Sequence, residues 1–127
     1  MTLLWVAAGG ALGAVARYSV GGWIQNATGS DFPWGTAAVN VSGSLLLGFL
    51  IVWLRASIAS AELRTFLTIG LLGSFTTFST MGYETVAMLQ EGEWGRATWY
   101  AIGSLALGLV AVWMGMAAGD GLLRRGG

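Results

Sequence analysis

Four apolar stretches, each long enough to cross a bilayer, dominate this chain of 127 residues. They cover roughly residues 3–24, 34–54, 62–89 and 94–118. A helix of about 20 apolar residues spans the hydrocarbon core of a membrane. The connections between the stretches are short, so consecutive helices are expected to run antiparallel. The sequence therefore predicts an all-α membrane protein, with one four-helix transmembrane domain over residues 1–127.

The composition agrees with a multi-pass protein of the cell (inner or plasma) membrane. Charged residues make up 9% of the chain, whereas soluble domains carry about 25%. Formal net charge is zero and no basic run is present, so we expect no nucleic-acid partner. Cysteine and histidine are both absent. Because no nucleophile stands beside a base and no metal-binding cluster recurs, we do not expect an enzyme.

The third stretch contains an unusually polar segment, Gly70–Thr80. Its eleven residues include two glycines, five hydroxyl side chains and two phenylalanines. Unpaired polar groups are costly in hydrocarbon, so the segment should face protein or a water-filled path. Gly70 and Gly73 allow the backbone to leave helical geometry, and carbonyls freed there suit a hard cation such as sodium. We therefore predict a break in the third helix beside a hydroxyl-lined site.

Side chains near this segment fall on shared helical faces. Thr36 and Asn40 lie one turn apart in the second stretch, where the Asn40 amide either bonds a neighbouring helix or offers a donor to an anion. Tyr100 and Ser104 are also one turn apart, in the fourth stretch. The third stretch carries one stripe of Thr76, Thr80 and Glu84, a second of Phe75, Phe78 and Met81, and Ser79 between them.

Arg17 and Glu84 are the two charges predicted within spans, and a charge at membrane depth is a functional candidate. Arg17 either reaches the membrane surface or attracts anions. Glu84 could carry protons, line a vestibule or pair with Arg17. Small residues four apart, such as Gly9 and Gly13, predict close helix packing. Residues 119–127 are expected to form a polar tail.

The arginines favour one orientation of the chain only weakly. With the amino terminus in the cytoplasm, one arginine lies outside, Arg96, and four lie inside. The four inside are Arg55, Arg64, Arg124 and Arg125. So few charges leave room for insertion in both orientations.

Three motifs together resemble those of the Fluc (CrcB) fluoride-channel family. They are Gly-Ala-Leu-Gly-Ala-Val-Ala-Arg-Tyr at 10–18, Gly-Thr-x-x-x-Asn at 35–40 and Gly-x-x-Gly-Ser-Phe-Thr-Thr-Phe-Ser-Thr at 70–80. The resemblance covers essentially the whole chain, and it implies a homodimer of oppositely oriented subunits with two fluoride pores. It also implies a central, structural sodium ion held by the carbonyls of Gly73 and Thr76.

The same resemblance assigns roles to further residues. It makes Phe78 the first ring of an aromatic box and places Met81 where the family has a second phenylalanine, so the second ring edge is missing here. Arg17, Thr36 and Glu84 are implied at the vestibule. The remaining residues implied in the fluoride path are Asn40, Ser79, Thr80, Tyr100 and Ser104.

The expected function is passive, fluoride-selective export, with sodium retained rather than transported. The alternative is a small proton-coupled multidrug exporter of the four-helix, dual-topology type. Such an exporter needs a carboxylate in its first span, where this chain has Arg17, whereas Glu84 lies in the third. A non-transporting assembly subunit is a third possibility.

Overall fold

The computed structural model describes all 127 residues and is entirely helical outside short connections. The elements in order are α1 Thr2–Thr28, α2 Trp34–Ala56, α3 Ala61–Arg64, a π-helix Thr65–Leu72, α4 Gly73–Phe75, α5 Phe78–Gln90 and α6 Trp94–Gly126. Since α3, the π-helix, α4 and α5 follow one another directly, the chain makes four helical segments, as predicted. Three helices, α1, α2 and α6, are individually long and apolar enough to cross a membrane.

The third segment is broken as predicted, but at Thr76 and Thr77 and not at the two glycines. Gly70 and Gly73 stay helical, and Gly73 has φ −60° and ψ −33°. The backbone becomes extended at Thr76 (φ −87°, ψ 158°) and Thr77 (φ −150°, ψ 120°). Gly70 serves packing instead, because a Cβ there would lie 2.9 Å from the Cα of Gly9 on α1. The break is therefore made by two β-branched residues, which favour extended backbone.

Glycines let the long helices approach backbone to backbone. Gly48 and Gly115 are buried where α2 packs along α6, and a Cβ on either would collide with a main-chain carbonyl of the other helix. Gly9 and Gly13 are buried in the same way where α1 packs against the π-helix. The predicted close packing at these small residues is confirmed within one chain.

The last helix is longer than expected. Residues 119–126 continue α6 to Gly126, so the predicted polar tail is wrong for all but Gly127. Gly119 is buried, and a Cβ there would lie 3.1 Å from the side chain of Val52. Packing against α2 thus extends the helix past the apolar stretch, and Arg124 and Arg125 lie in its last turn, where positive charge is favourable.

The side chain of Gln25 ties the loop between α1 and α2 to both helices. α1 ends at Gly29, whose φ of 60° is left-handed. Gln25 donates from Nε2 to the carbonyls of Ser30 (2.7 Å) and Phe32 (2.9 Å), and its Oε1 accepts from the N–H of Gly35 (3.0 Å). Gln25 therefore provides an acceptor for a backbone N–H in the first turn of α2, which has no partner within the helix, and so fixes where that helix begins.

Only 15 of 127 residues are buried, so most apolar side chains face outward, as suits a hydrocarbon environment. A small cluster of Met88, Ala97 and Tyr100 joins α5 to α6. Tyr100 is only 2% exposed and Val39, on α2, only 1%. Ala37 of α2 also packs against the cluster, which therefore joins α2, α5 and α6.

Candidate functional site

The side chain of Asn40 bridges α2 to the break between α4 and α5. Its Nδ2 donates to the carbonyl of Thr77 (3.0 Å), and its Oδ1 accepts from the N–H of the same residue (2.7 Å). Thr77 also caps α5, since its Oγ1 accepts from the N–H of Thr80 (3.2 Å) and donates to the Thr80 hydroxyl (3.0 Å). Of the two roles predicted for Asn40, the interhelical hydrogen bond is present.

These bonds remove the usual helical partners of two carbonyls. In a continuous α-helix the N–H of Thr77 would bond the Gly73 carbonyl, and that of Thr80 would bond the Thr76 carbonyl. Here the first donates to Asn40 and the second to the Thr77 hydroxyl. The Gly73 and Thr76 carbonyls, predicted from the family resemblance as sodium ligands, therefore lack their i+4 donors.

Arg17 reaches across from α1 to the same break. Its Nε donates to the carbonyl of Ser74 at 3.0 Å. The i+4 donor for that carbonyl would be the N–H of Phe78, which begins the next helix. Arg17 thus satisfies a carbonyl at the end of α4, and its half-buried guanidinium remains beside a polar cavity.

The first cavity lies between α1, α2 and α5 and has a volume of about 400 Å³. Its polar lining comprises Arg17, Gln25, Thr36, Thr77, Thr80 and Glu84. Glu84 accepts hydrogen bonds from the hydroxyls of Thr36 (2.6 Å) and Tyr100 (2.8 Å), one at each carboxyl oxygen. Both ion pairs of the chain involve Arg96, so pairing between Arg17 and Glu84 does not occur.

The second cavity lies on the α6 side of the break and has a volume of about 280 Å³. Its lining includes Asn40, Ser44, Thr76, Thr77, Phe78, Met81 and Ser104. Phe78 is 83% exposed, whereas Met81 is half-buried. Thr77 lines both cavities, so the Asn40–Thr77 pair stands between them.

Two predicted path residues lie apart from these cavities within one chain. Ser79 lies on an exposed face of α5 and lines neither. Tyr100 reaches the first cavity only through its hydroxyl, which bonds Glu84, and its ring packs edge-on against Phe32 at 5.4 Å. The predicted residues therefore form two clusters on either side of the break.

Ion pairs of Arg96 fix the loop of residues 29–33 next to Tyr100. Arg96 bonds Asp31 (2.9 Å) and Glu93 (2.9 Å), and its guanidinium lies 5.6 Å from the ring centre of Phe32. The hydrogen bond from Arg96 lowers the pKa of Asp31, and its positive charge adds to that effect. These contacts hold Phe32 against Tyr100.

Thr77 and Gln25 are important site residues that the sequence interpretation missed. Thr77 lies in the polar segment, and a threonine directly before an amphipathic run is a signal for a helix N-cap. Gln25 gave no such signal, because its three bonds depend on how the loop folds back. No group of three acidic, histidine or cysteine residues is placed to bind a metal.

Sequence comparisons with known proteins all point to the same family. The sequence model of the family described as CrcB-like protein, Camphor Resistance (CrcB), matches residues 4–116. The chain is 48% identical over 120 residues to a protein of Thermus thermophilus named fluoride-specific ion channel FluC, covering 94% of each chain. It is 49% identical over 121 residues to a protein of the same name from Acidobacterium capsulatum, covering 94% of this chain and 97% of the relative.

A third relative of that name, from Geobacter sulfurreducens, is 48% identical over 118 residues, which cover 92% of this chain and 95% of the relative. These matches extend over almost the whole length of both partners, including the broken third segment. With its membrane-length helices, the chain is a multi-pass protein of the cell membrane. It belongs to the CrcB family.

Proposed function

We propose that this protein is a fluoride-selective channel that lets fluoride leave the cytoplasm passively. The observation that carries the proposal is the Asn40–Thr77 pair, which holds a helix break between the first, polar cavity and the second cavity, whose polar groups include Asn40, Ser44 and Ser104. The name shared by the relatives, fluoride-specific ion channel, supports the same function. Export along this path would lower cytoplasmic fluoride.

The donors around the break suit a small, strongly hydrated anion. An asparagine amide carries two N–H donors, and Asn40 gives only one of them to Thr77. The second is available to an anion in the second cavity, where Ser44 and Ser104 add hydroxyls. Such neutral donors replace water without holding the ion too tightly, which conduction requires.

The aromatic side of the path is proposed at Phe78. Its ring is largely exposed at the second cavity, and the edge of an aromatic ring carries positive partial charge. Met81, which follows on the same face, supplies a polarizable thioether in place of a second ring edge. Ser79 and Thr80 would extend the path with hydroxyls.

The first cavity would serve as a vestibule on the other side of the break. Arg17 supplies positive charge there, and Thr36 and Glu84 form its hydrogen-bonded wall. Tyr100 completes that wall through its bond to Glu84. An anion drawn towards Arg17 would then meet the hydroxyls near Thr77.

A second copy of the chain, in the opposite orientation, would complete the path. Gly73 and Ser79 lie on exposed surface at membrane depth, and lipid offers no donor to their polar groups. Packing the broken segments of two subunits against each other would cover these groups and enclose two pores. In such a dimer, the exposed hydroxyl of Ser79 would face the fluoride path at the interface between the subunits.

A sodium ion fits the same interface. The Gly73 and Thr76 carbonyls lack their helical donors, and sodium is a hard cation that prefers oxygen ligands. Two subunits would present four such carbonyls, and the ion would offset their partial negative charge. Its role is structural, because it joins the subunits and is not transported.

Nothing in the structure favours the multidrug exporter. Such a transporter needs a carboxylate free to exchange protons with a cationic substrate, whereas both oxygens of Glu84 accept hydrogen bonds from Thr36 and Tyr100. The first cavity also contains Arg17, whose positive charge repels lipophilic cations.

Flux through liposomes tests the proposal. Vesicles loaded with potassium fluoride and containing the purified protein are treated with a potassium ionophore, and a fluoride electrode records release. We expect rapid fluoride release and no measurable chloride release from matched vesicles. Chloride release at a similar rate would disprove selectivity. Failure to release either ion, from protein that is folded and inserted, would instead favour an assembly subunit.

A further inference from the structure

We propose that the protein has a second anion site, which binds the phosphate group of an anionic phospholipid. It lies where α2 ends and the third segment begins, between Arg55 and Arg64. None of its lining residues lines either of the two cavities described above. The site is therefore separate from the proposed fluoride path.

Arg64 supplies the first observation. Its Nη2 donates to the carbonyl of Ser57 at 3.1 Å, which holds the guanidinium across the connection between the two helices. Its Nε is buried, and it is the only buried side-chain nitrogen or oxygen of the chain without a hydrogen-bond partner. Because a charged group with a buried, unpaired nitrogen is costly, the Arg64 guanidinium is incompletely compensated within the chain.

A cavity of about 220 Å³ adjoins this arginine, and its remaining lining is Ile51, Leu54, Arg55 and Thr68. No carboxylate lies within 4.0 Å of either arginine, since both ion pairs of the chain belong to Arg96. Thr68 is engaged with the backbone, donating to the carbonyl of Arg64 at 2.8 Å. Two unneutralised guanidinium groups beside one cavity favour an anion, and their geometry suits phosphate oxygens.

The surroundings favour a lipid phosphate over a free ion. Arg55 lies in the last turn of α2, as does Trp53, which is 40% exposed, and tryptophan is typical of the membrane–water boundary. Ile58, in the connection between the arginines, is fully exposed, although a large apolar side chain there gains nothing from water. Ile51 and Leu54 give the cavity an apolar floor. A phosphate with attached acyl chains satisfies both kinds of surface.

Native mass spectrometry of the detergent-purified protein tests the site. The added probes are phosphatidylglycerol, a diacylglycerol with the same acyl chains, and inorganic phosphate. The variants are Arg64→Gln and Arg55→Gln, each of which removes a charge, with Arg124→Gln as a matched control on an exposed turn of α6. We expect phosphatidylglycerol to bind the normal protein and the control equally, and each site variant about tenfold more weakly, the loss expected for one charge-assisted bond.

Equal binding by Arg64→Gln and the normal protein would overturn the proposal. So would diacylglycerol that binds as tightly as phosphatidylglycerol, because an apolar groove alone would then suffice. Displacement of phosphatidylglycerol by inorganic phosphate would overturn the choice of a lipid. Thermal unfolding identifies any variant that fails to fold. Should Arg64→Gln fail, Arg55→Gln decides the question, since its side chain is exposed.

Discussion

The side chain of Asn40 bonds both backbone groups of Thr77, its amide replacing the hydrogen bonds that a continuing helix would supply. The break in the third segment is therefore fixed from a neighbouring helix and not by its own sequence alone. The side-chain oxygen and nitrogen of Asn40 both bond Thr77, so the amide is held in one orientation. One N–H of its amide group is not used by Thr77. In the proposed fluoride path, the residue that holds the break would therefore also offer this N–H to the anion.

The bond between Tyr100 and Glu84 can be measured by a double-mutant cycle. Tyr100→Phe removes one donor without changing the shape of the ring, so we expect a loss of about 1 kcal/mol in the free energy of unfolding. In a Glu84→Ala background the same change should cost much less, because no side-chain acceptor remains there. Tyr83→Phe, at an exposed tyrosine, is the control and should have little effect. Equal costs in both backgrounds would contradict the bond.

The glycine contact between α2 and α6 predicts opposite effects at two positions of one helix. Gly115→Ala should destabilise the protein by about 1–3 kcal/mol, because the new Cβ meets the backbone of α2. Gly121→Ala meets nothing within 4 Å and should be neutral or stabilising by up to about 1 kcal/mol. Thermal unfolding in detergent measures both. A Gly115→Ala protein as stable as the normal one would disprove this packing.

The contact of Arg96 with Asp31 predicts a dependence of stability on acid. Folding lowers the pKa of Asp31, chiefly through the Arg96 hydrogen bond. The contribution is therefore fully present above the pKa of Asp31 in the unfolded chain and is lost as pH falls through the lower folded pKa. Melting temperatures of the normal protein and of Asp31→Asn should converge as pH falls through this range. A difference that stays constant there would exclude the contact as its source.

Sodium should stabilise the assembled protein. If the Gly73 and Thr76 carbonyls bind it, sodium at a hundred times its Kd adds about 2.7 kcal/mol relative to protein kept in choline. Unfolding midpoints in sodium and in choline at equal ionic strength measure the difference, and cross-linking reports the dimer. Identical unfolding midpoints in sodium and in choline, for protein prepared without sodium throughout, would show that the protein does not bind a stabilising sodium ion.

The helical segments could be predicted from sequence because apolar length and small-residue spacing are local signals. The end of α6 could not, since residues 119–126 are held in the helix partly by the contact of Gly119 with α2. The position of the break was predicted only in part, because the family resemblance implicated Thr76 whereas the residue pattern pointed to the glycines. Glycines suggest backbone freedom, whereas Gly70 is needed for contact with α1 and the extended residues are Thr76 and Thr77.

For the candidate site, the sequence indicated which residues take part but not how they pair. The polar segment and Asn40 are visible because such residues are unusual in a membrane span. Their pairing depends on how two helices are placed, so the Asn40–Thr77 bonds and the role of Thr77 appear only in the folded chain. The bond of Arg17 to Ser74 likewise joins residues 57 positions apart, which no local pattern could indicate.

Fluoride efflux through Asn40→Asp tests the central claim most directly. The aspartate keeps an acceptor for the Thr77 N–H, but it places an oxygen against the Thr77 carbonyl and a negative charge beside the path. Ser42→Ala is the matched control, since that exposed α2 hydroxyl bonds only the carbonyls of its own helix. We expect efflux from Asn40→Asp liposomes to fall about tenfold or more while Ser42→Ala is unchanged. Unchanged efflux through folded Asn40→Asp protein would show that fluoride does not pass this residue.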